Sequence, residues 1–201
     1  MEVETFSYLG SGITSNGDVL YDVNCRIGKG AAAFNKLDRI WKTNKIDLKT
    51  KLRLFEAIVI STTIYAADTW KNTSTIAKKL DVFQQRCLRK ILHVRWEDRV
   101  RDETVLQRAN TIKLSTRISC RRLQLAGHVF RMEGNIPARQ AIIWQPPGRR
   151  SRGRPKKTWR ATVIEDLRQC GSNWFQAPRL AKNRNKWNKI VARCRQAGGT
   201  R

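Results

Sequence analysis

Residues 48–68 read LKTKLRLFEAIVISTTIYAAD, and the part from 55 to 65 contains a single charged residue, Glu56. Apolar side chains recur there at steps of three and four, the spacing of one helical face; they are Leu48, Leu52, Phe55, Ile58, Val59 and Tyr65, with Thr62 on the same stripe. Asp47 stands just before them, where its carboxylate can cap the first turn. We therefore predict a helix over 48–68 and expect its middle to be the central buried helix of the fold.

The same spacing predicts further helices on both sides of this segment. Their ranges are 22–42, 74–93, 116–131 and 159–169, with a short helical region from Trp96 to Gln107 and a last helix starting at Ser172 or Pro178. Ser115 and Thr158 are predicted N-caps, and Gly171 is a predicted C-terminal stop. The pattern of 138–144 fits a short strand or a helical turn equally well.

Residues 3–20 have the pattern of a β-hairpin, because strand formers alternate with turn residues. Phe6, Tyr8 and Ile13 are the strand formers, whereas Gly10, Gly12 and the pair Asn16-Gly17 are turn signals. The predicted fold class is therefore mostly α: a short N-terminal β-hairpin, a helical bundle and a basic helical C-terminal region. We place the boundary between the last two near residues 110–115.

The charge of the chain is extreme and uneven. Among 201 residues the net charge is +25; residues 1–114 hold 20 basic and 13 acidic residues, whereas 115–201 hold 21 and 3. Self-repulsion of this size favours an acidic partner, either nucleic acid or an anionic membrane surface. There is no apolar run of about 18 residues, so nothing in the sequence predicts a membrane span.

The most basic stretch is 148–160, GRRSRGRPKKTWR, which has seven basic and no acidic residues. Two Gly and a Pro favour an extended backbone. Residues 152–155, Arg-Gly-Arg-Pro, match the core of an AT-hook, a segment that lies in the narrow minor groove of A·T-rich DNA. The pattern leaves three alternatives open: minor-groove binding, general phosphate binding and a solvated linker. The residues that would contact phosphate are Arg149, Arg150, Arg152, Arg154, Lys156, Lys157 and Arg160.

Two predicted helices also have a polar face whose charges are all positive. These are Lys78, Lys79, Arg86, Arg89 and Lys90 in 74–93, and Arg117, Arg121 and Arg122 in 116–131. A charged helix face is often only solvated, but a face of one sign favours contact with phosphate. The seven Trp residues could stack on bases, yet most have core spacing, so we expect them to pack; Trp144, close to the basic stretch, is the expected exception.

Nothing in the sequence indicates a catalytic, metal or cofactor site. The five Cys are widely separated with no CxxC pair, and the two His have no ligand spacing. Buried packing is expected for Cys87 and Cys194, and surface salt bridges for the acidic pairs at 97–98 and 102–103. The odd Cys count and the acidic start Met1-Glu2-Val3-Glu4 predict an intracellular protein, nuclear or cytoplasmic, and not a secreted one.

A series of short motifs occurs in a defined order along nearly the whole chain. They are FSYLG at 6–10, Gly12-Ile13, Arg26-Ile27, IYAADTW at 64–70, FQQRCLRKI at 83–91, Arg121-Arg122-Leu123, GHVFRM at 127–132, RGRP at 152–155 and TWR at 158–160. The ordered set closely resembles the C-terminal part of the reverse transcriptase of non-LTR (LINE-like) retrotransposons, of the type that also carries an apurinic-type endonuclease.

The resemblance implies three parts. Residues 1–21 would be the hairpin at the end of the polymerase palm, with Phe6, Tyr8, Leu9 and Gly10 as its primer grip. Residues 22–112 would be the helical thumb, which holds the template–primer duplex. Residues 113–201, with an extended loop at 145–158, would be the basic C-terminal region that helps to bind template RNA or target DNA.

The resemblance also sets the expected function. The paired aspartates of the palm motif are absent from this sequence, and two-metal phosphoryl transfer needs such carboxylates. We therefore expect a catalytically silent protein that binds RNA, DNA or their hybrid, with no cofactor, no small-molecule substrate and no membrane partner. The alternatives are part of an RNA-directed DNA polymerase whose sequence is cut short, and a domesticated basic protein-interaction module.

Overall fold

A two-stranded antiparallel hairpin precedes a series of helices in the computed structural model, which describes residues 4–144, 148, 153 and 157–197. The predicted mostly α fold class is confirmed. The chain divides into two compact units. The first unit is Met1–Ala67 with Ser74–Ser115, and the second unit is Asp68–Thr73 with Thr116–Arg201.

The first unit begins with β1 (Thr5–Tyr8) and β2 (Ser11–Thr14), paired in the register Phe6↔Ile13 and Tyr8↔Ser11. Its helices are α1 (Val19–Lys36), α2 (Asp38–Lys42), α3 (Leu48–Leu54), a π-helical segment (Phe55–Ile60), α4 (Ser61–Thr63), α5 (Ser74–Ile91) and α6 (Asp102–Arg108), with a 3₁₀ turn at Trp96–Asp98.

The second unit contains α7 (Leu114–Arg131, whose first two residues belong to the first unit), α8 (Pro137–Ile143), α9 (Trp159–Gln169), α10 (Ala177–Lys182) and α11 (Arg184–Ala197). A 3₁₀ turn, Ala67–Thr69, lies where the chain first passes between the units. The undecided segment 138–144 is therefore helical. The core of this unit is one cluster built around Leu123, Phe130, Val163, Leu167 and Trp187.

The hairpin differs from its prediction at its second turn. Its reversal lies at Leu9 and Gly10, whose φ values are +48° and +80°. Asn16-Gly17 instead lead into α1, because the Asp18 carboxylate accepts the Leu20 N–H at 3.0 Å and caps that helix. The helix thus begins at Val19, within the range that was predicted as hairpin.

The predicted single helix over 48–68 is wrong in its length and continuity. Asp47 does cap it, accepting the Thr50 N–H at 3.0 Å. However, the backbone widens into a π-helix at 55–60 and the helix ends at Thr63. Phe55 and Val59 of the predicted stripe are buried as expected, whereas Ile58 and Tyr65 are exposed and Ile60, which lies outside the stripe, is buried. A π-helical segment shifts the side chains that follow it around the axis, which explains why a stripe drawn at 3.6 residues per turn fails.

Two other helix ends also differ from the sequence pattern. The predicted helix over 22–42 is divided at Leu37 into α1 and α2. The helix predicted at 116–131 begins at Leu114, and Ser115 does not cap it with its own side chain. Instead the Asp81 carboxylate accepts both the Ser115 N–H at 2.9 Å and the Ser115 Oγ–H at 2.7 Å. A carboxylate on α5 thus takes the place of the predicted local cap.

Within the described residues, no helix combines the length and the apolar character that crossing a bilayer demands.

Gly30 allows α1 to pack closely against α4. A Cβ at Gly30 would lie 2.1 Å from the Thr63 Oγ1, which is buried and donates to the Val59 carbonyl at 2.8 Å. Gly28, two residues earlier on the exposed side of α1, has nothing within 4 Å of its added Cβ.

We expect the two glycines to respond oppositely to alanine. Gly28→Ala should raise the free energy of unfolding by about 0.5–1 kcal/mol, because Ala loses less backbone entropy in a helix. Gly30→Ala should lower it by about 1–3 kcal/mol through overpacking. Urea unfolding of both variants measures this difference, and equal effects of the two substitutions would contradict the close packing at Thr63.

Candidate nucleic-acid interface

The polar face of α5 in the first unit carries exposed basic residues. Lys78 and Arg86 are exposed, and no described carboxylate pairs with either. Val82, also exposed, lies between them at helical spacing. From Lys78 to Lys90 the helix extends about 18 Å, a length over which duplex DNA presents roughly ten phosphate charges. This face therefore offers positive charge along a surface of suitable length.

The other predicted residues on α5 already have partners in the first unit. Lys79 Nζ donates to Asn24 Oδ1 at 2.9 Å, and Arg89 binds Asp102 at 2.7 Å and the Val100 carbonyl at 2.8 Å. Lys90 Nζ lies 2.5 Å from Asp38. Hydrogen bonds from Lys42 and Lys90 lower the pKa of that carboxyl. The partner of Lys79 is thus a neutral amide, whereas those of Arg89 and Lys90 include carboxylates.

The arginines predicted on α7 mostly form contacts within the second unit. Arg122 is fully buried; its guanidinium donates to Asp166 at 2.7 Å, the Trp70 carbonyl at 3.1 Å and Ser119 Oγ at 3.1 Å. Arg121 pairs with Asp68 at 3.1 Å. Arg117 is half-buried and also engaged. We therefore remove Arg122 from the set of surface residues, because a guanidinium enclosed by three protein partners cannot reach a phosphate.

Burial and the Arg122 charge act in opposite directions on the pKa of the Asp166 carboxyl. Desolvation raises the pKa of Asp166, and the nearby Arg122 charge and its hydrogen bond oppose this effect. The pair is joined by a direct charge-assisted hydrogen bond, the stronger kind. Removal of one partner from such a pair leaves the other charge buried and uncompensated.

Most of the basic stretch lies outside the described residues. This holds for Arg149, Arg150, Arg152, Arg154 and Lys156, and the minor-groove, phosphate and linker interpretations all stay predictions. Gly148 and Gly153 have φ values of +100° and +110°, a region that favours glycine.

The described end of the basic stretch is fixed to α9. Thr158 caps this helix as predicted, with its Oγ1 accepting the Ala161 N–H at 3.1 Å. Lys157 forms an ion pair with Glu165, and the Arg160 guanidinium lies 4.7 Å from the Trp174 ring centre. Gly171 ends α9 with a φ of +68°, also as predicted.

A basic face on α10 and α11 was missed by the sequence prediction. Its exposed members, none of which pairs with a described carboxylate, are Arg179, Lys182, Arg184, Lys186, Lys189, Arg193 and Arg195. A signal was present, because no Asp or Glu follows Asp166 in the sequence. The basic residues are dispersed among helix-forming residues, so they lack the density that makes 148–160 conspicuous.

Tryptophan packing follows the prediction at some positions and not at others. Trp41, Trp70 and Trp187 are buried, and Trp144 is 65% exposed, as expected. Trp96 was expected to pack but is 84% exposed; it lies at the start of a 3₁₀ turn that ends at Arg99, whose backbone is left-handed.

The hairpin exposes the residues predicted as a primer grip. Phe6, Tyr8 and Leu9 are each more than half exposed, and Gly10 forms the turn. The opposite side faces α1: the Gly12 N–H donates to Asp22 Oδ1 at 2.9 Å, and Arg26 Nη2 donates to Ser11 Oγ at 3.2 Å. The primer-grip role itself stays a prediction.

The cysteines expected to pack are buried. Burial raises the pKa of the Cys87 thiol to about 12, so this thiol is protonated at neutral pH. Cys194 is buried in the core of the second unit. Among the described residues, no group of three His, Cys, Asp or Glu side chains is arranged to hold a metal ion.

We predict that the two neighbouring arginines of α7 differ in their contribution to stability. Arg122→Ala should lower the free energy of unfolding by about 3–5 kcal/mol, because Asp166 would remain buried without its partner. Arg121→Ala, which removes a partly exposed pair, should cost at most about 1 kcal/mol. Urea unfolding of the whole chain measures both; a small loss for Arg122→Ala would contradict its structural role.

The chain is similar to a curated protein from Caenorhabditis elegans. That protein is described as an uncharacterized transposon-derived protein; it is 22% identical over 204 residues, which cover 96% of this chain and 71% of the relative. No protein-family model matches the chain. No solved structure matches it either.

Proposed function

We propose that this chain is a nucleic-acid-binding protein of transposon origin, corresponding to the thumb and C-terminal region of a non-LTR retrotransposon reverse transcriptase. The observation that carries the proposal is the pair of exposed basic faces, one on α5 and one on α10 and α11. The similarity to a transposon-derived protein over nearly the whole chain supports the origin. The ordered motifs from Phe6 to Arg160 support the particular class of transposon.

The binding is mainly electrostatic. Lysine and arginine side chains on a helix face neutralise phosphates and release the counterions that surround nucleic acid. RNA, DNA and hybrid duplexes all present this backbone, so each is a ligand for these faces. The proposal assigns no catalytic step to this chain, because the sequence contains no paired-aspartate palm motif for two-metal phosphoryl transfer.

The salt dependence of binding tests the proposal. With roughly 6–10 phosphate contacts, the affinity for a labelled duplex should fall about 10³–10⁵-fold between 50 and 200 mM salt. Fluorescence anisotropy measures the dissociation constant across this range. A flat salt response, or tighter binding to anionic vesicles than to duplex nucleic acid, would refute the proposal.

Charge-matched variants test which surfaces bind. Lys186→Ala, Lys189→Ala and Arg193→Ala together should flatten the slope of log affinity against log salt by about 0.9 for each phosphate that is no longer neutralised. Lys78→Ala with Arg86→Ala should act similarly on α5. The control combines Lys36→Ala, Lys45→Ala and Lys49→Ala, which remove three exposed charges elsewhere. If the control flattens the slope equally, net charge alone drives the binding and the assigned faces are wrong.

A further inference from the structure

Four side chains of the second unit form a continuous stack of arginine and aromatic groups. Arg139 lies 5.2 Å from the Phe130 ring centre, Phe130 meets Trp174 edge to face at 5.3 Å, and Arg160 lies 4.7 Å from the Trp174 ring centre. Such contacts are individually modest. In series they hold the Arg160 guanidinium, a planar group that stacks well on rings, against a fixed aromatic surface.

Two large, exposed aromatic residues are next in the chain to a member of this stack or to its hydrogen-bond partner. Arg160 Nη1 donates to the Ile143 carbonyl at 3.4 Å, and Trp144, 65% exposed, is the next residue in the chain. Phe175 follows Trp174 directly and is 92% exposed. We call Trp144, Arg160, Trp174 and Phe175 the aromatic platform.

Phe175 lies on a turn that is held by hydrogen bonds. Asn173 Oδ1 accepts the Gln176 N–H at 2.9 Å, and the Ala177 N–H donates to the Asn173 carbonyl at 3.2 Å. These bonds hold the residues around Phe175 at the start of α10. The Phe175 ring is 92% exposed on this ordered turn, and a ligand that covers it would gain the hydrophobic free energy of its burial.

We propose that the aromatic platform stacks unpaired bases of single-stranded nucleic acid. This inference rests on the proposed function and specifies which form of nucleic acid the second unit takes. Every base has a π-face, and aromatic side chains stack on such faces without regard to sequence. Bases within a duplex are already stacked on their neighbours, so only unpaired bases are free to occupy Trp144 and Phe175.

Charge selects nucleic acid over a protein as the occupant. Arg139 and Arg160 lie within the stack, Trp144 directly precedes the segment that holds the basic stretch, and α10 follows Phe175 with Arg179 and Lys182 exposed. A polymer that combines repeated negative charge with planar apolar groups fits this setting. Nucleic acid is such a polymer.

The test compares two single-stranded DNA oligonucleotides of equal length, one of thymidines and one with abasic sites replacing the central thymidines. Both carry the same phosphates, so their difference in affinity reports contacts to bases. The whole 201-residue chain should bind the thymidine oligonucleotide more tightly by about 5- to 150-fold for each base stacked. Fluorescence anisotropy at one fixed salt concentration gives both dissociation constants.

Substitutions then locate the stacking surface. Trp144→Ala and Phe175→Ala should each reduce this preference by the share of one stacked base, about 5- to 150-fold, while changing affinity for the abasic oligonucleotide less than about twofold, since no charge is removed. Arg160→Lys keeps the charge but removes the planar group, so it should also reduce the preference. Trp96→Ala, an exposed tryptophan in the first unit, is the matched control and should leave the preference unchanged. Thermal melting verifies that each variant is folded.

The outcomes separate this inference from the proposed function. If the wild-type chain binds both oligonucleotides equally with a steep salt dependence, the platform is refuted and the electrostatic function stands. If Trp144→Ala and Phe175→Ala leave the preference intact, bases are stacked elsewhere or the platform binds a protein, and the inference is again refuted. If neither oligonucleotide nor a duplex binds in a salt-dependent manner, the proposed function itself fails.

Discussion

The buried guanidinium of Arg122 is the interaction on which the second unit depends. It joins three parts of the chain: Ser119 on α7, Asp166 on α9 and the carbonyl of Trp70 in the segment 68–73. The same segment is held by two further bonds, from Trp159 Nε1 to the Asp68 carbonyl at 2.7 Å and from the Asn72 N–H to Thr162 Oγ1 at 3.1 Å. A charged group is tolerated in a core only when it is paired and hydrogen-bonded in this way. The hydrogen bonds of this one arginine thus help to fix α9 against α7 and to hold residues 68–73 within the second unit.

The buried pair of Arg122 and Asp166 shows that a basic residue on a helix is not always available to a ligand. Arginines on α7 look in sequence like one basic face, but Arg121 and Arg122 hold acidic partners of their own unit, and Arg131 donates to the Ala181 carbonyl at 3.1 Å. The basic residues of α10 and α11 pair with no carboxylate among the described residues. Basic side chains that a ligand can reach are therefore concentrated in the part of the chain that lacks acidic residues. Whether an arginine faces solvent or the core depends on what packs against its helix.

The aromatic residues show the same division between packing and exposure. Trp187 is buried, donates its Nε1–H to the Leu123 carbonyl at 2.9 Å and lies directly against Gly127, whose added Cβ would come within 2.1 Å of that nitrogen. Trp41 is similar, with its Nε1–H bonded to the Phe34 carbonyl at 2.8 Å and its ring stacked on Phe34 at 5.1 Å. Buried indoles need a partner for this N–H, and both have one. Trp96 and Trp144 are exposed to water, and of the two only Trp144 was predicted to be an exception, because of its position close to the basic stretch.

The fold class, the hairpin at the start, the caps at Asp47 and Thr158 and the stop at Gly171 could all be predicted from sequence, because each depends on residues close together in the chain. The excess of positive charge is counted directly from the sequence. Other features needed the packed structure. The cap on α7 comes from Asp81, 34 residues away, and the π-helical segment at 55–60 breaks a periodicity that looked regular. Which arginines face solvent was not predicted: Arg121 and Arg122 are neighbours on α7, yet Arg121 is partly exposed beside Asp68 and Arg122 is buried beside Asp166. Helix caps and turns depend on residues that are close together in the sequence and can be predicted from it. The partner of a long charged side chain is decided only when distant segments pack against each other.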